Sequence, residues 1–183
     1  TGGPEALNVV LGQLTPMLGQ VPVVIAQHMP PIFTTILAER LSRATGHVAR
    51  EPANREPLKR GTIYVAPGNR HMTVEGVDAP CIRLHDGAPV NFCKPAVDPL
   101  FGSVARTYGA AALGIVLTGM GQDGAKGARE IADAGGSIIA QDESSSVVWG
   151  MPRTVAEAGL CAAVLPPAEI GQVAAKLLQG VRP

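Results

Sequence analysis

Short runs of consecutive apolar residues alternate along the chain with stretches in which apolar positions recur every three or four residues. The runs 22–27 (PVVIAQ), 112–117 (ALGIVL), 137–140 (SIIA) and 161–165 (CAAVL) lack the polar alternation of a half-solvated strand, and strands buried on both faces read this way. Between them lie helical periodicities. Leu7, Val10, Leu11 and Leu14 fall at i, i+3, i+4 and i+7, with Pro4 suited to a first helical turn. Phe33, Ile36, Leu37, Leu41 and Ala44 mark a second helix that Gly46 ends, and Val97, Leu100, Phe101, Val104 and Tyr108 a third. Further helices are expected over 124–134 and 152–158. A terminal helix opens at Pro167 with Ile170, Val173, Ala174 and Leu177 on one face. This alternation predicts an α/β fold, a doubly wound and mostly parallel sheet with helices on both faces. Residues 61–84 differ in kind. There GTIYVAP, HMTVEG and PCIRL are short strands separated by Gly68-Asn69 and by residues 76–80, which predicts a small antiparallel hairpin region.

Composition narrows the function. The 183 residues are 46% hydrophobic and 16% charged, which suits a single domain that buries its own core without disulfides. Net charge is zero and aromatic content is 3%, so the chain offers neither a phosphate-neutralising patch nor stacking platforms, and nucleic acid is excluded as a partner. Cys81, Cys93 and Cys161 are odd in number and form no C-x-x-C pair, so a reducing, cytoplasmic compartment is expected. No apolar run approaches the ~20 residues a bilayer span requires, and Thr1 to Pro4 lack the basic and apolar segments of a signal peptide. No membrane insertion is expected.

Ligands of such sheets bind beyond the carboxyl ends of the strands. Three chemically loaded turns should open there: Thr1-Gly2-Gly3 before the first helix, Gln27 to Pro30 at the end of PVVIAQ, and Thr118 to Gly124 after ALGIVL. His28 occupies the middle turn, where an imidazole titrating near neutrality suits a general base; a histidine capping the core is the plainer alternative. Asp123 stands where a glycine-rich turn becomes a helix. It reads either as the N-cap of that helix or as a carboxylate that orients a histidine, and the two roles are compatible. The same turn also fits G-x-G-x-x-G (Gly119, Gly121, Gly124) between a strand and a helix, with Asp142 and Glu143 closing the next strand, a dinucleotide-binding pattern. Against it, Asp123 puts a carboxylate where a pyrophosphate belongs. His47, His71 and His85 have no metal-ligand spacing and read as surface or hairpin residues. Arg70 and His71 either rim the cleft or tip a hairpin; Trp149 and Met151 either line it or pack in the core.

At TGGPEAL, VVIAQHMPPIFT, LAERL, IYVAPGNRHM, DGAPVNFCKPAVDPLF, GIVLTGMGQDGAKG and AQDESSSVVWGMPRT the chain resembles the catalytic domain of chemotaxis receptor protein-glutamate methylesterases over nearly its whole length. The resemblance implies a doubly wound parallel sheet with a small antiparallel appendage. It also implies a Ser-His-Asp triad in that order, with His28 the histidine, Asp123 the acid and the serine immediately before Thr1. Glycine-rich turns at Thr1 and Met120 would supply oxyanion donors. The expected reactions are hydrolysis of glutamate methyl esters and deamidation of glutamines on methyl-accepting chemoreceptors. No cofactor or metal is implied. Residues 1–183 would be the catalytic domain, joined in the full-length protein to an amino-terminal receiver domain. Without the serine, these residues alone are expected to be inactive. Within them, Ser144-Ser145-Ser146 reads as a solvated loop, Cys93 has nothing near it in sequence to lower its pKa, and Thr1 fits an interior turn better than an N-terminal nucleophile. A catalytically dead receptor-docking module is the competing functional class.

Overall fold

The computed structural model describes residues 1–180. In chain order it contains α1 (Gly3–Leu18), β1 (Val23–Ile25), α2 (Phe33–Thr45), β2 (Val48–Arg50), β3 (Thr62–Val65), β4 (His71–Glu75), β5 (Cys81–His85), α3 (Val97–Tyr108) and a 3-10 turn (Gly109–Ala111). There follow β6 (Leu113–Val116), α4 (Ala125–Asp133), β7 (Ser137–Gln141), α5 (Met151–Glu157), β8 (Ala163–Leu165) and α6 (Pro167–Leu178). Strands β1-β3-β2 and β6-β7-β8, in these spatial orders, form two parallel ladders.

The period of two along each central strand sends alternate residues to opposite layers. Ile139 of β7 packs with Ile25, Ile63 and Val65 against Leu11, Leu14, Leu18, Leu37, Leu41 and Ile170 of α1, α2 and α6. Its neighbours Ile138 and Ala140 pack instead with Val97, Ala128, Ile131 and Val155 of α3, α4 and α5. Likewise Tyr64, between Ile63 and Val65, turns to the hairpin side with Met72, Val74, Ile82 and Leu84. Helices thus cover both faces, as the strand–helix alternation predicts. No helix among the described residues is long and apolar enough to cross a membrane.

Three local readings need correction. Among the strands of the described residues only β4 and β5 pair antiparallel, in register from His71↔His85 to Glu75↔Cys81, whereas Thr62–Val65 pairs parallel with β1 and β2. The reason is burial: Ile63, Tyr64 and Val65 are all inaccessible, so this strand needs cover on both faces, which only the parallel layer provides. Strand β2 is absent from the sequence reading because only Ala49 of its three residues is buried, the pattern of a short edge. On α2, Phe33 and Ile36 face solvent, and the buried stripe is Thr34, Leu37, Ala38, Leu41 and Thr45.

Helices α3 and α4 approach unusually closely. A Cβ on Gly127 would lie 2.5 Å from Phe101 Cβ and 3.1 Å from the Asp98 carbonyl, so only glycine fits the crossing.

Ile139→Ala tests the shared core. This side chain sits at the centre of β7, which pairs with strands on both sides, and is fully buried. Its truncation is expected to lower the urea-unfolding free energy by about 2–5 kcal/mol without changing the unfolding slope.

Candidate active site

Four loops at the carboxyl ends of strands form the site: 26–32 after β1, 66–70 after β3, 117–124 after β6 and 142–150 after β7. The chain start joins them. Thr118 Oγ1 lies 3.2 Å from the Thr1 carbonyl and 3.1 Å from the Val148 carbonyl, which share its single hydroxyl hydrogen. A Cβ on Gly3 would meet the Gln27 side chain at 2.5 Å, so glycine there lets the opening turn lie directly against the residue before His28. The three turns expected to converge do so.

At their meeting point His28 Nε2 lies 2.6 Å from Asp123 Oδ2. His28 is partly exposed, with 24% of its side chain accessible, while Asp123 is buried at 2%. Because Nε2 is committed to the carboxylate, Nδ1 is the nitrogen free to exchange a proton with anything in the cleft.

Asp123 receives three further hydrogen bonds. The Val97 amide donates to Oδ2 at 2.6 Å, and the Asp98 amide and Asn91 Nδ2 donate to Oδ1 at 3.1 and 3.0 Å. Burial pushes the Asp123 carboxyl up, but the bonds from His28, Val97, Asp98 and Asn91 together outweigh it and hold the group below its ordinary value. It is therefore ionised at neutral pH.

The helix-capping reading of Asp123 is right in kind and wrong in address. Its own helix, α4, is preceded by Gly124; Asp123 instead caps the first turn of α3 through the Val97 and Asp98 amides. In return Asp98 Oδ1 accepts from the Gly124 and Gly127 amides at 3.0 and 2.8 Å, closing the start of α4. Asn91 Nδ2 bridges the pair, donating also to Asp98 Oδ2 at 2.8 Å. This exchange disposes of the dinucleotide reading of Gly119, Gly121 and Gly124, since the amides a pyrophosphate would use are already occupied by a carboxylate.

The residues 90–93 form a tight turn, with reciprocal backbone bonds between Val90 and Cys93 at 3.0 and 2.9 Å. Asn91 (φ 52°) and Phe92 (φ 64°) are both left-handed. Asparagine tolerates this conformation; for phenylalanine it costs about 1–2 kcal/mol. Phe92 is fully exposed and stands between two open clefts. One, of about 460 Å³, is lined by His28, Met29, Pro30, Pro31, Asn69, Phe92, Cys93 and Lys94. The other, of about 610 Å³, includes Gly121, Gln122, Trp149 and Arg153.

Of the other residues singled out in the sequence, Thr1 and Met120 both lie on the converging turns, Met120 with its side chain 75% exposed. Trp149 lines the second cleft and donates from Nε1 to the Gln141 carbonyl at 3.1 Å, whereas Met151 is buried against Gly119. Arg70 pairs with Asp86. His71 is buried in the hairpin beneath the Ala88 carbonyl, 2.9 Å from Nε2, and so is not a surface residue. Ser144, Ser145 and Ser146 bond within their own loop, to Asp142. Two site residues escaped the sequence reading: Asn91, and Cys93 as a neighbour of His28. Ligand atoms of His28, Cys93 and Asp123 lie within 4.8 Å of one another. Burial first, and the Asp123 charge second, push the Cys93 thiol up, so it is neutral and a poor nucleophile.

With this geometry established, comparison with known proteins is decisive. The family model described as CheB methylesterase matches residues 1–174. The chain belongs to the CheB methylesterase family. A protein-glutamate methylesterase/protein-glutamine glutaminase of Rhodopseudomonas palustris is 55% identical over 183 residues, covering 100% of this chain and 47% of the relative. Its counterpart in Bradyrhizobium diazoefficiens is 54% identical over 184 residues, covering 100% and 46%. The chain therefore spans about half the length of these relatives. The crystal structure of the Thermotoga maritima CheB methylesterase catalytic domain superposes with a TM-score of 0.91 at 37% identity, over 99% of this chain and 94% of that one.

The Asp123 network has a pH signature. A carboxyl held below its ordinary 3.8 in the folded chain is protonated first in the unfolded chain as acid is added. The stabilisation is complete above about pH 5 and is lost as pH falls through the folded-state value. Asp123→Asn is expected to cost about 1–3 kcal/mol at neutral pH, with the gap in urea midpoint from the native chain narrowing as pH approaches about 3.

Proposed function

We propose that this chain is the catalytic domain of a protein-glutamate methylesterase and glutaminase acting on chemoreceptors. The observation that carries the reading is the 2.6 Å contact between His28 Nε2 and the buried Asp123 carboxylate, in the group of strand-end loops to which the opening residue Thr1 is bonded through Thr118. The nucleophile is a serine encoded immediately before Thr1, on the turn that packs against Gln27 and Thr118.

In the proposed reaction the serine Oγ attacks the ester carbonyl of a methylated glutamate, and its proton passes to His28 Nδ1. Asp123 stabilises the resulting imidazolium through Nε2–H and keeps the ring oriented. His28 then protonates the departing methoxide, releasing methanol and leaving an acyl-enzyme. A water deprotonated by His28 hydrolyses this to glutamate. With glutamine as substrate the leaving group is ammonia. Amides of the Thr1 and Met120 turns hold the oxyanion, and one such donor is worth about 3–4 kcal/mol of barrier.

The substrate reading rests on family membership and on what the relatives are named for. We also assign a cytoplasmic setting, the methyl-accepting receptors as partners, and a regulatory receiver domain within the greater length of the relatives. A docking module without catalysis is the competing outcome, and the residue encoded before Thr1 separates the two: serine supports the esterase, alanine or glycine the docking module.

The activity is read as methanol release from methylated receptor membranes, by the longer protein that includes the residue before Thr1. Asp123→Asn is expected to lower kcat about 10⁴-fold, because an amide orients the wrong imidazole tautomer. His28→Gln should lower it at least as much. Unchanged rates in both variants would remove His28 and Asp123 from the chemistry.

A further inference from the structure

The mechanism makes no use of Cys93, although the 90–93 turn holds its sulfur beside the acid–imidazole pair at the wall of an open cleft. We propose that His28 Nε2, Cys93 Sγ and an Asp123 carboxylate oxygen form a binding site for a soft divalent cation, zinc foremost, and that its occupancy switches the hydrolase off. Cation binding stands apart from the esterase reading; the switching rests on it.

The donor set selects the ion. Thiolate with imidazole and one carboxylate suits zinc and disfavours magnesium and calcium, which seek oxygen alone. Bonds of about 2.3 Å to sulfur and about 2.0–2.2 Å to nitrogen and oxygen put tetrahedral ligands roughly 3.3–3.8 Å apart. The present separations, 2.6 Å from His28 to Asp123 and none above 4.8 Å across the group, bracket that range. Binding therefore requires the imidazole and carboxylate to part by about 0.7–1.2 Å and the sulfur to close by at most roughly 1–1.5 Å. His28 and Cys93 both line the 460 Å³ cleft, which gives the ion a route in and leaves room for water as a fourth ligand.

Protons balance simply. The neutral imidazole exchanges its Nε2 proton for one on Nδ1 and presents the Nε2 lone pair to the metal. The Cys93 thiol loses its proton to solvent and binds as thiolate. One proton is released per ion, and nothing is oxidised. The neighbouring Asp123 charge, which disfavours a thiolate in the metal-free chain, becomes an asset once a dication lies between them. With Nδ1 carrying a hydrogen, His28 can no longer accept the proton of a nucleophile. The metal thus removes the base while leaving the fold unchanged.

Cobalt(II) is the probe. Added to the protein, it should give a near-ultraviolet thiolate-to-cobalt charge-transfer band that zinc abolishes by displacement. Cys93→Ser should lose the band and bind zinc at least about tenfold more weakly, while Cys81→Ser and Cys161→Ser keep both properties. The unmodified chain supplies a control free of folding effects: zinc should protect Cys93 from alkylation, read by mass spectrometry of its peptide. No charge-transfer band, equal zinc affinity in Cys93→Ser, or unprotected Cys93 each overturns the site. In the longer protein, zinc should suppress methanol release and a chelator restore it. A band without any esterase activity would retain the cation site and sink the proposed function; esterase activity indifferent to bound zinc would overturn the switch.

Discussion

A buried carboxylate organises the strand-end site of this molecule. Asp123 is inaccessible to solvent and ionised, a combination that is tolerable only because both oxygens are fully engaged by four donors from three segments of chain. Two of those donors are the opening amides of α3, so the charge also meets the positive end of a helix. The fourth is His28, whose ring lines the 460 Å³ cleft. The acid is held by the scaffold on three sides and presents its remaining bond to the imidazole. Electrostatics, helix capping and orientation of the His28 ring are served by a single group.

Much of this is legible in the residues. Apolar runs and helical spacings locate β1, β6, β7, β8 and the six α-helices of the described residues, because most of these strands are buried and each helix packs along one stripe. The strand-end rule then brings Thr1, His28 and Thr118 to Gly124 together from sequence alone. Misreadings occur where local pattern and tertiary pairing part company. GTIYVAP looks like the first strand of a meander because two strand-like segments follow closely, yet its partners are β1 and β2. β2 is too short and too exposed to show a pattern. Asp123 sits at a helix start in the sequence, but its capping bonds go to a different helix, information that no spacing along one segment contains.

The same limit hid Asn91 and Cys93. Neither lies at the end of a parallel strand, and their approach to His28 depends on two successive left-handed residues, one of them a phenylalanine that gains no burial from its position. That unfavourable geometry is offset by what the turn delivers: Asn91 to both carboxylates, and Cys93 to the wall beside the imidazole. The turn beside the His28–Asp123 pair gives it a chemical neighbour of its own.

The reciprocal closure of α3 by Asp123 and of α4 by Asp98 has a consequence for assembly. Neither helix can satisfy its first turn until the other has arrived, although the bonded positions are 25 to 29 residues apart in sequence. Nucleating either helix and docking the pair are therefore one cooperative event. Asp123 reaches its place beside His28 in that same event, so a chain with α3 and α4 separated also leaves the imidazole without the carboxylate that orients it.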